Sequence, residues 1–347
     1  MARRLVAASL AALSVTSSSQ QEIARVDASE TMSLLQIALS EVNFAPLDGG
    51  DSTPEGADDP NTPEGAGSPE GAGSPPEGAG SDQDMKLLID DHNAECKTIL
   101  LTTVFGSRAD PQRPRRHEVN IDYIDRYYRS VLSVPGAGVK AFIFYDTLAE
   151  ETVRNYSTRN GVINFVKVDV PGMDKELGLN DLRFLVYEKE IRKHPEWETV
   201  FMTDSSDLIV LHNPCVFARK QPDKIFVCGQ SSRLGDFKWI TPKFEAMGGK
   251  YLEWYKAKEN SDLRVLNAGI LGGRRSTVLP VLAKMSKVLL DPNLAARKNG
   301  SSVKVNMAAF NYVIRKQFRA EDVVVGPPLH SKFAAYEQRS DVYFKHK

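Results

Sequence analysis

The sequence predicts an α/β domain with a mostly parallel central sheet flanked by helices. From residue 98 onward, short apolar and β-branched runs alternate with segments of helical periodicity, which is the pattern of repeated βαβ units. The runs are those of buried strands, as in a sheet that helices cover on both faces. One run, Thr199–Leu211, is interrupted by the polar cluster Asp204-Ser205-Ser206-Asp207. Open α/β sheets hold their ligands at the carboxyl ends of strands, so this cluster is the first candidate site.

Composition excludes several classes of protein. The chain has 347 residues, with 44 Lys and Arg against 45 Asp and Glu, so its net charge of -1 predicts no nucleic-acid partner. The three cysteines, Cys96, Cys215 and Cys228, are too few and too scattered for a disulfide scaffold or a zinc site. Cys215 and Cys228 can pair if the protein matures in an oxidising compartment. Buried free thiols are the favoured interpretation.

Residues 1–20 have the pattern of a signal or targeting segment. A basic start precedes a moderately apolar run, and small and polar residues follow it. The run is too short to span a bilayer stably, so no stable membrane span is expected unless this segment stays uncleaved. The pattern favours the secretory pathway, in the Golgi or ER lumen, and leaves organellar targeting open.

Two further segments precede the predicted domain. Residues 21–45 carry apolar side chains at roughly helical spacing and predict an amphipathic helix. Residues 46–85 contain a tandem Pro-Glu-Gly-Ala repeat, which cannot bury enough apolar area to offset chain entropy and predicts a disordered linker. The folded domain is therefore expected over residues 86–347.

The predicted elements of this domain follow in order. The strands are Thr98–Phe105, Val139–Tyr145, Val162–Val168, Val200–Met202 and Lys224–Cys228. The helices are Ile121–Leu132, Leu148–Tyr156, Asn180–His194 and Ser276–Leu290. Asn180 or Asp181 is a suitable N-cap for the third helix.

The polar cluster is interpreted as a metal site. Two carboxylates, Asp204 and Asp207, suit a hard divalent cation that binds the phosphates of a nucleotide. The alternative is a solvated turn, since Asp and Ser are ordinary turn residues. The chain has no Gly-x-Gly-x-x-Gly after the first strand and no Gly-x-x-x-x-Gly-Lys-Ser/Thr, which disfavours dinucleotide dehydrogenases and P-loop NTPases. Without a glycine cradle, a carboxylate-held metal is the natural partner for a diphosphate.

Four stretches together resemble a known family. The cluster Asp204–Asp207 resembles the Asp-x-Asp-type motif of GT-A glycosyltransferases, of the nucleotide-diphospho-sugar transferase superfamily, and its two-residue spacer resembles that of collagen-modifying domains. Thr102–Phe105 with Asp110–Arg113 matches the first nucleotide-binding strand and loop. Leu266–Gly273 resembles the Asn-x-Gly strand beside the donor sugar, and Pro328–Lys332 resembles the late His with a nearby Lys.

The resemblance implies a single GT-A-like domain that transfers a hexose from a nucleotide diphosphate sugar to a glycan or protein acceptor, using Mn²⁺ or Mg²⁺. It implies Asp204, Asp207 and His330 as metal ligands. The implied donor-binding residues are Thr103, Val104, Phe105, Arg113, Asp181, Arg183, Asp204, Ser205, Ser206, Gly269, Gly272, Gly273 and Lys332.

The catalytic candidates are less specific. Asp262 is interpreted as an acceptor-side base if the reaction inverts, or as an ordinary loop carboxylate. Asn267 is interpreted as an amide that reads sugar hydroxyls. The glycines at 269, 272 and 273 either admit the sugar or merely turn the strand into the next helix. Asn306 stands where relatives often have an acid, which leaves that carboxylate in doubt.

Two other functions stay open. The first is a catalytically inactive GT-A-like domain that binds a nucleotide sugar or a glycan, which the asparagine at 306 suggests. The second is a metal-dependent phosphoesterase with the same aspartates, although the chain lacks the additional His and Asp clusters that two-metal sites need.

Overall fold

A seven-stranded sheet organises the described part of the chain. The structure is a computed structural model, and it describes residues 96–107, 121–134, 138–170, 172–331 and 339–346. The predictions for residues 1–20, 21–45 and 46–85 lie outside the described residues, as do Arg113 and Lys332.

The first four strands lie within a residue of the predicted runs, the predicted strand Lys224–Cys228 continues to Arg233, and the last three strands match no predicted run. The strands are β1 Thr98–Val104, β2 Val139–Tyr145, β3 Ile163–Lys167, β4 Thr199–Thr203, β5 Leu208–Val210, β6 Ile225–Arg233, β7 Arg264–Arg274, β8 Val323–Val325, β9 His330–Ser331 and β10 Phe344–His346. β1 and β4 are almost wholly buried, as their apolar and β-branched sequences require.

The order of the large sheet is β3-β2-β1-β4-β7-β6-β8. β7 runs antiparallel to both of its neighbours, β4 and β6, and every other pair is parallel. The prediction of a mostly parallel sheet is therefore confirmed. The chain moves outward from β1 to β2 and β3 and then returns to β4 on the other side of β1. Such a reversal of strand order lies here at the carboxyl ends of β1 and β4, and open sheets bind ligands in the crevice that a reversal of this kind creates.

Ten α-helices accompany the strands within the described ranges. They are α1 Asp125–Ser133, α2 Glu150–Tyr156, α3 Leu179–Lys193, α4 Cys215–Lys220, α5 Thr241–Met247, α6 Gly249–Lys256, α7 Lys258–Ser261, α8 Arg275–Leu289, α9 Ala295–Lys298 and α10 Asn306–Gln317. The predicted helices agree with α1, α2, α3 and α8 to within a few residues at each end. No helix among the described residues is both long and apolar enough to cross a bilayer.

The core lies on both faces of the sheet. Successive residues of β4 alternate between two hydrophobic clusters: Val200 and Met202 belong to one, and Phe201 belongs to the other. Because neighbouring side chains of a strand point to opposite faces, the two clusters are the two covered faces of the sheet. Helices α3, α8 and α10 supply the first cluster, while α1 and α4 supply the second.

A second, three-stranded sheet lies beside the carboxyl end of β4. Its order is β5-β10-β9, with β10 antiparallel to β5 and parallel to β9. β5 follows the polar cluster directly, so a strand that pairs with β5 is brought next to that cluster.

The cysteines differ from the prediction of free thiols. Cys96 and Cys215 form a disulfide across 119 residues of sequence, with their Cα atoms 5.7 Å apart. Asn213 joins the two segments, because its Nδ2 donates to the carbonyl of Cys96 and its Oδ1 accepts from Thr98. The alternative Cys215–Cys228 pair is wrong as well, since Cys228 is a buried free thiol.

We expect the disulfide to contribute about 2–5 kcal/mol to the free energy of unfolding, since it closes a long loop of the unfolded chain. Cys96→Ser should lower the urea midpoint accordingly. Thiol titration in denaturant should find one reactive thiol per chain before reduction and three after it. Three reactive thiols without reductant would contradict the pairing.

Candidate metal centre

The polar cluster lies over the crevice between β1 and β4. Asp204 follows Thr203, the last residue of β4, and Ser205 donates from its hydroxyl to the carbonyl of Thr103 on β1, at 3.3 Å. That bond fixes the start of the cluster above the ends of both strands. The structure therefore brings together Thr103, Asp204 and Ser205, three of the residues that the resemblance implies as donor-binding.

A bulge in β7 supplies backbone groups to the same place. The register of β7 against β6 passes from Leu271, opposite Val227, directly to Asn267, opposite Cys228. The three residues between them, 268–270, have no partner on β6, and such bulges re-aim groups beside functional sites. The carbonyl of Gly269 accepts from the backbone N–H of Asp204 at 2.8 Å.

His346 completes the cluster from the second sheet. The pairing of β10 with β5 sets His346 opposite Leu208, one residue beyond Asp207. Its Nε2 lies 3.1 Å from Oδ2 of Asp204 and 3.8 Å from Oδ1 of Asp207. One ligand atom from each of the three residues lies within 4.8 Å of the others, which is close enough to share one cation.

The donor set and the local backbone both fit a divalent cation. Two carboxylates and one imidazole suit Mn²⁺, which tolerates a nitrogen ligand better than Mg²⁺ does. Gly269 makes the convergence possible, because a Cβ at this position would lie 2.5 Å from Nε2 of His346 and 2.7 Å from Oδ2 of Asp204. No larger residue fits there without moving one of the two ligands.

Arg183 holds the other side of Asp204. The guanidinium, on α3, forms an ion pair with Oδ1 of Asp204 and donates to the carbonyl of Ala268 at 2.9 Å. Burial raises the pKa of Asp204, but the charge of Arg183 and the contact with His346 outweigh it and hold the pKa well below the usual range. Asp204 is therefore ionised at neutral pH, with Oδ2 directed towards His346.

Asp181 links α3 to the start of α10. Its carboxylate accepts from the backbone N–H of Val305 at 2.8 Å and from the side-chain amide of Asn306 at 3.4 Å, at the start of α10. A carboxylate is stabilised at a helix N-terminus. The amide of Asn306 donates to this carboxylate, a contact that an ionised acid at 306 could not make. Asp181 lies two residues before Arg183 on α3 and is not among the three candidate cation ligands.

His330 does not join the cluster, which corrects its predicted role as a metal ligand. Its ring is buried between other partners: Nε2 accepts from the N–H of Gly229 at 3.0 Å, and Nδ1 lies 3.4 Å from the sulfur of Cys228. His346 takes the predicted place. The sequence carries little signal for it, because only the pairing of β10 with β5 brings this residue near Asp207.

Gly272 and Gly273 also differ from their predicted role beside a sugar. They pair with Phe201 and Val200, towards the amino end of β4 and away from the cluster. A Cβ on Gly272 would overlap the ring of Phe201, and Gly273 has a φ of 141°. Both glycines are therefore needed for packing within the sheet.

The remaining predicted residues are dispersed. Asn267 uses its side-chain oxygen to accept from the N–H of Gly269 at 2.8 Å, which steadies the bulge, and its contact with a sugar stays a prediction. Val104 is buried in the core, while Phe105 and Ser206 are half-buried. Asp262 pairs with Arg233, and its side chain is 84% exposed.

Asp262 is also distant from the cluster along β7. It lies seven positions before Gly269 and two before the start of β7, and its partner Arg233 is at the far end of β6 from Cys228. The described structure thus leaves it away from the candidate ligands, and its role as a base stays a prediction.

No protein-family model matches the sequence, and a search of curated proteins finds no match. The functional interpretation therefore rests on the residues and on their geometry.

We expect Gly269→Ala to weaken Mn²⁺ binding by at least about tenfold, because the added methyl displaces His346 or Asp204 from the shared position. Isothermal calorimetry measures this directly. Ile270→Val is the matched control: it removes one buried methyl from the next residue, costs about 1 kcal/mol of stability, and should leave Mn²⁺ affinity unchanged. Equal affinities for the wild type and Gly269→Ala would contradict the site.

Asp181 should make the stability of the protein depend on pH. Burial raises the pKa of Asp181 from 3.8 to about 7, against the opposing hydrogen bond from Val305. The folded protein then holds this proton more tightly than the unfolded chain, so the contribution to stability present below pH 3.8 is lost as the pH rises to about 7. The slope is at most about 1.4 kcal/mol per pH unit for one proton.

Urea unfolding of the wild type and Asp181→Asn at several pH values isolates this contribution. The wild type should lose stability relative to the variant between about pH 4 and pH 7. A difference that stays constant over the whole interval would show that Asp181 titrates normally.

Proposed function

We propose that the domain is a metal-dependent glycosyltransferase of the GT-A type, which transfers a hexose from a nucleotide diphosphate sugar to an acceptor hydroxyl. One observation carries the proposal: Asp204, Asp207 and His346 converge at the crevice where the strand order reverses between β1 and β4. The resemblance of Asp204–Asp207 to the Asp-x-Asp-type motif supports the same conclusion.

Each residue of the centre has a defined task. Oδ2 of Asp204, a carboxylate oxygen of Asp207 and Nε2 of His346 would hold Mn²⁺ or Mg²⁺. The cation would supply charge neutralisation for the diphosphate, which leaves with the nucleotide. Arg183 keeps Asp204 ionised and in place. Ser205 anchors the start of the cluster to β1.

The disulfide supports one compartment for this reaction. A bond between Cys96 and Cys215 persists in oxidising compartments and is rare in the reducing cytosol. This supports the proposal that the domain works in the secretory pathway, in the ER or Golgi lumen, on a glycan or protein acceptor.

A second candidate function is a nucleotide-sugar-binding domain without transfer activity. The position of Asp262 favours it, since that exposed carboxylate lies away from the candidate ligands. Both functions require binding of the cation and the nucleotide, and they differ in whether the sugar is released or transferred.

The first experiment is a screen of nucleotide sugars for Mn²⁺-dependent release of free nucleotide by the full chain. We expect one donor to be turned over in the presence of Mn²⁺ and not in the presence of a chelator. Calorimetric binding of a nucleotide sugar without turnover, with any acceptor offered, would favour the binding domain instead.

The second experiment tests Asp207 as a ligand of the cation. Asp207→Asn keeps the size of the side chain and removes its charge, so we expect turnover to fall by at least about 100-fold while the thermal midpoint stays within a few degrees. Asp125→Asn makes the same chemical change at the start of α1, where Asp125 pairs with Arg129 and not with the cluster, and should leave turnover unchanged. Full activity of Asp207→Asn in Mn²⁺ would refute the role of the centre.

A further inference from the structure

A buried cysteine lies behind the metal centre, between two histidines. The sulfur of Cys228 is 3.4 Å from Nδ1 of His346 and 3.4 Å from Nδ1 of His330. The three side chains come from three strands, β6, β10 and β9, and their residues are 1%, 0% and 4% exposed. Solvent therefore does not compete for these contacts.

The backbone fixes the direction of the first hydrogen bond. The N–H of Gly229 points at Nε2 of His330, at 3.0 Å, and an N–H can only donate. Nε2 of His330 must then carry a lone pair, so the ring is neutral and its proton is on Nδ1. That proton is donated to the sulfur of Cys228.

The second hydrogen bond depends on His346. A histidine that binds a cation through Nε2 carries its proton on Nδ1, and a partner of that proton fixes the orientation of the ring. In this structure the partner of Nδ1 is the sulfur of Cys228. The thiol proton of Cys228 in turn has the carbonyl of Gly229 within reach, at 3.8 Å from the sulfur.

When a cation is bound at Nε2 of His346, one arrangement of protons satisfies the two imidazoles and the thiol. His330 and His346 both donate to the sulfur, and the thiol donates to the carbonyl of Gly229. Nε2 of His346 lies 3.1 Å from Oδ2 of Asp204 and donates to it when Nε2 is protonated; with a cation in that place, Nε2 instead presents a lone pair to the space that it shares with Asp204 and Asp207.

We propose that Cys228 and His330 are positioning residues of the metal centre, which hold the ring and the tautomer of His346 so that Nε2 faces the cation. The proposal rests on the metal centre of the proposed function and not on sugar transfer. A sulfur suits this position because it accepts two N–H groups and still donates its own proton.

The same burial is compatible with Cys228 as a small packing residue and nothing more. Packing predicts that truncation lowers stability and leaves the metal affinity unchanged. Positioning predicts that the affinity falls even where the fold is intact. The Mn²⁺ affinity therefore distinguishes the two explanations, and its measurement requires no enzymatic activity.

The test is the Mn²⁺ affinity of the full chain, measured by calorimetry. We expect Cys228→Ala, which removes the acceptor of both imidazoles, to bind Mn²⁺ about 10- to 100-fold more weakly. Cys228→Ser keeps a group that accepts and donates, so its loss should be smaller. Val227→Ala is the control, since Val227 is equally buried on the opposite face of the same strand and should lower stability alone.

Two variants of His330 separate its two hydrogen bonds. The amide nitrogen of Asn is as many bonds from the backbone as Nδ1, so His330→Asn keeps a donor for Cys228 and loses the acceptor for Gly229. The amide oxygen of Gln corresponds to Nε2, so His330→Gln keeps the acceptor for Gly229 and loses the donor for Cys228. We expect Gln to weaken Mn²⁺ binding more than Asn does.

A spectroscopic measurement reports the tautomer itself. With ¹⁵N-labelled histidine and diamagnetic Mg²⁺, the loaded wild type should show His346 protonated at Nδ1, while Cys228→Ala should show a mixture of tautomers. Protonation of His346 at Nε2 in the loaded protein would overturn the proposal. So would wild-type Mn²⁺ affinity in both Cys228→Ala and His330→Gln.

The outcomes also distinguish this proposal from the proposed function. Weakened Mn²⁺ binding in these variants, together with no turnover of any nucleotide sugar, would support positioning and count against transfer. Turnover of a nucleotide sugar by a protein whose Mn²⁺ affinity is unchanged by the Cys228 and His330 variants would support transfer and count against positioning. A wild type that binds no Mn²⁺ would overturn both.

Discussion

The candidate site depends on one constraint, which is that the carboxylate of Asp204 must remain charged at the largely enclosed edge of the sheet. A buried carboxylate is costly unless every side of it is paired. Here Arg183 pairs with one oxygen, His346 lies against the other, and the backbone N–H of the same residue is tied to Gly269. These partners come from α3, β10 and β7, so the charge of one residue joins three distant segments of the chain.

That dependence explains which parts were predictable from sequence. Strands such as β1 and β2 are marked by local runs of apolar residues, and their limits follow from the sequence almost to the residue. Asp204, Asp207 and Arg183 are visible too, because a strand or a helix start places each of them. Their partner His346 is set instead by strand pairing over more than a hundred residues, and no local pattern marks it.

The same limit accounts for the other differences. His330 has the sequence context expected of a late ligand, beside a proline and before a lysine, yet its ring faces Gly229 and Cys228. The pairing of Cys96 with Cys215 spans 119 residues and is invisible to any argument from spacing. The glycines of β7 look alike in sequence, but Gly269 admits two ligands while Gly272 only admits the ring of Phe201. Only the tertiary neighbour distinguishes them.

The charges of the centre indicate what kind of ligand it suits. Asp204 and Asp207 carry two negative charges, and Arg183 offsets one of them, so with a neutral His346 a single negative charge remains. A divalent cation turns this into a net positive charge at the mouth of the crevice. Because Arg183 is already bound to Asp204 and Ala268, it limits the negative charge without occupying the position of the cation. A centre built in this way attracts an anion once the metal is bound, as a diphosphate ligand requires.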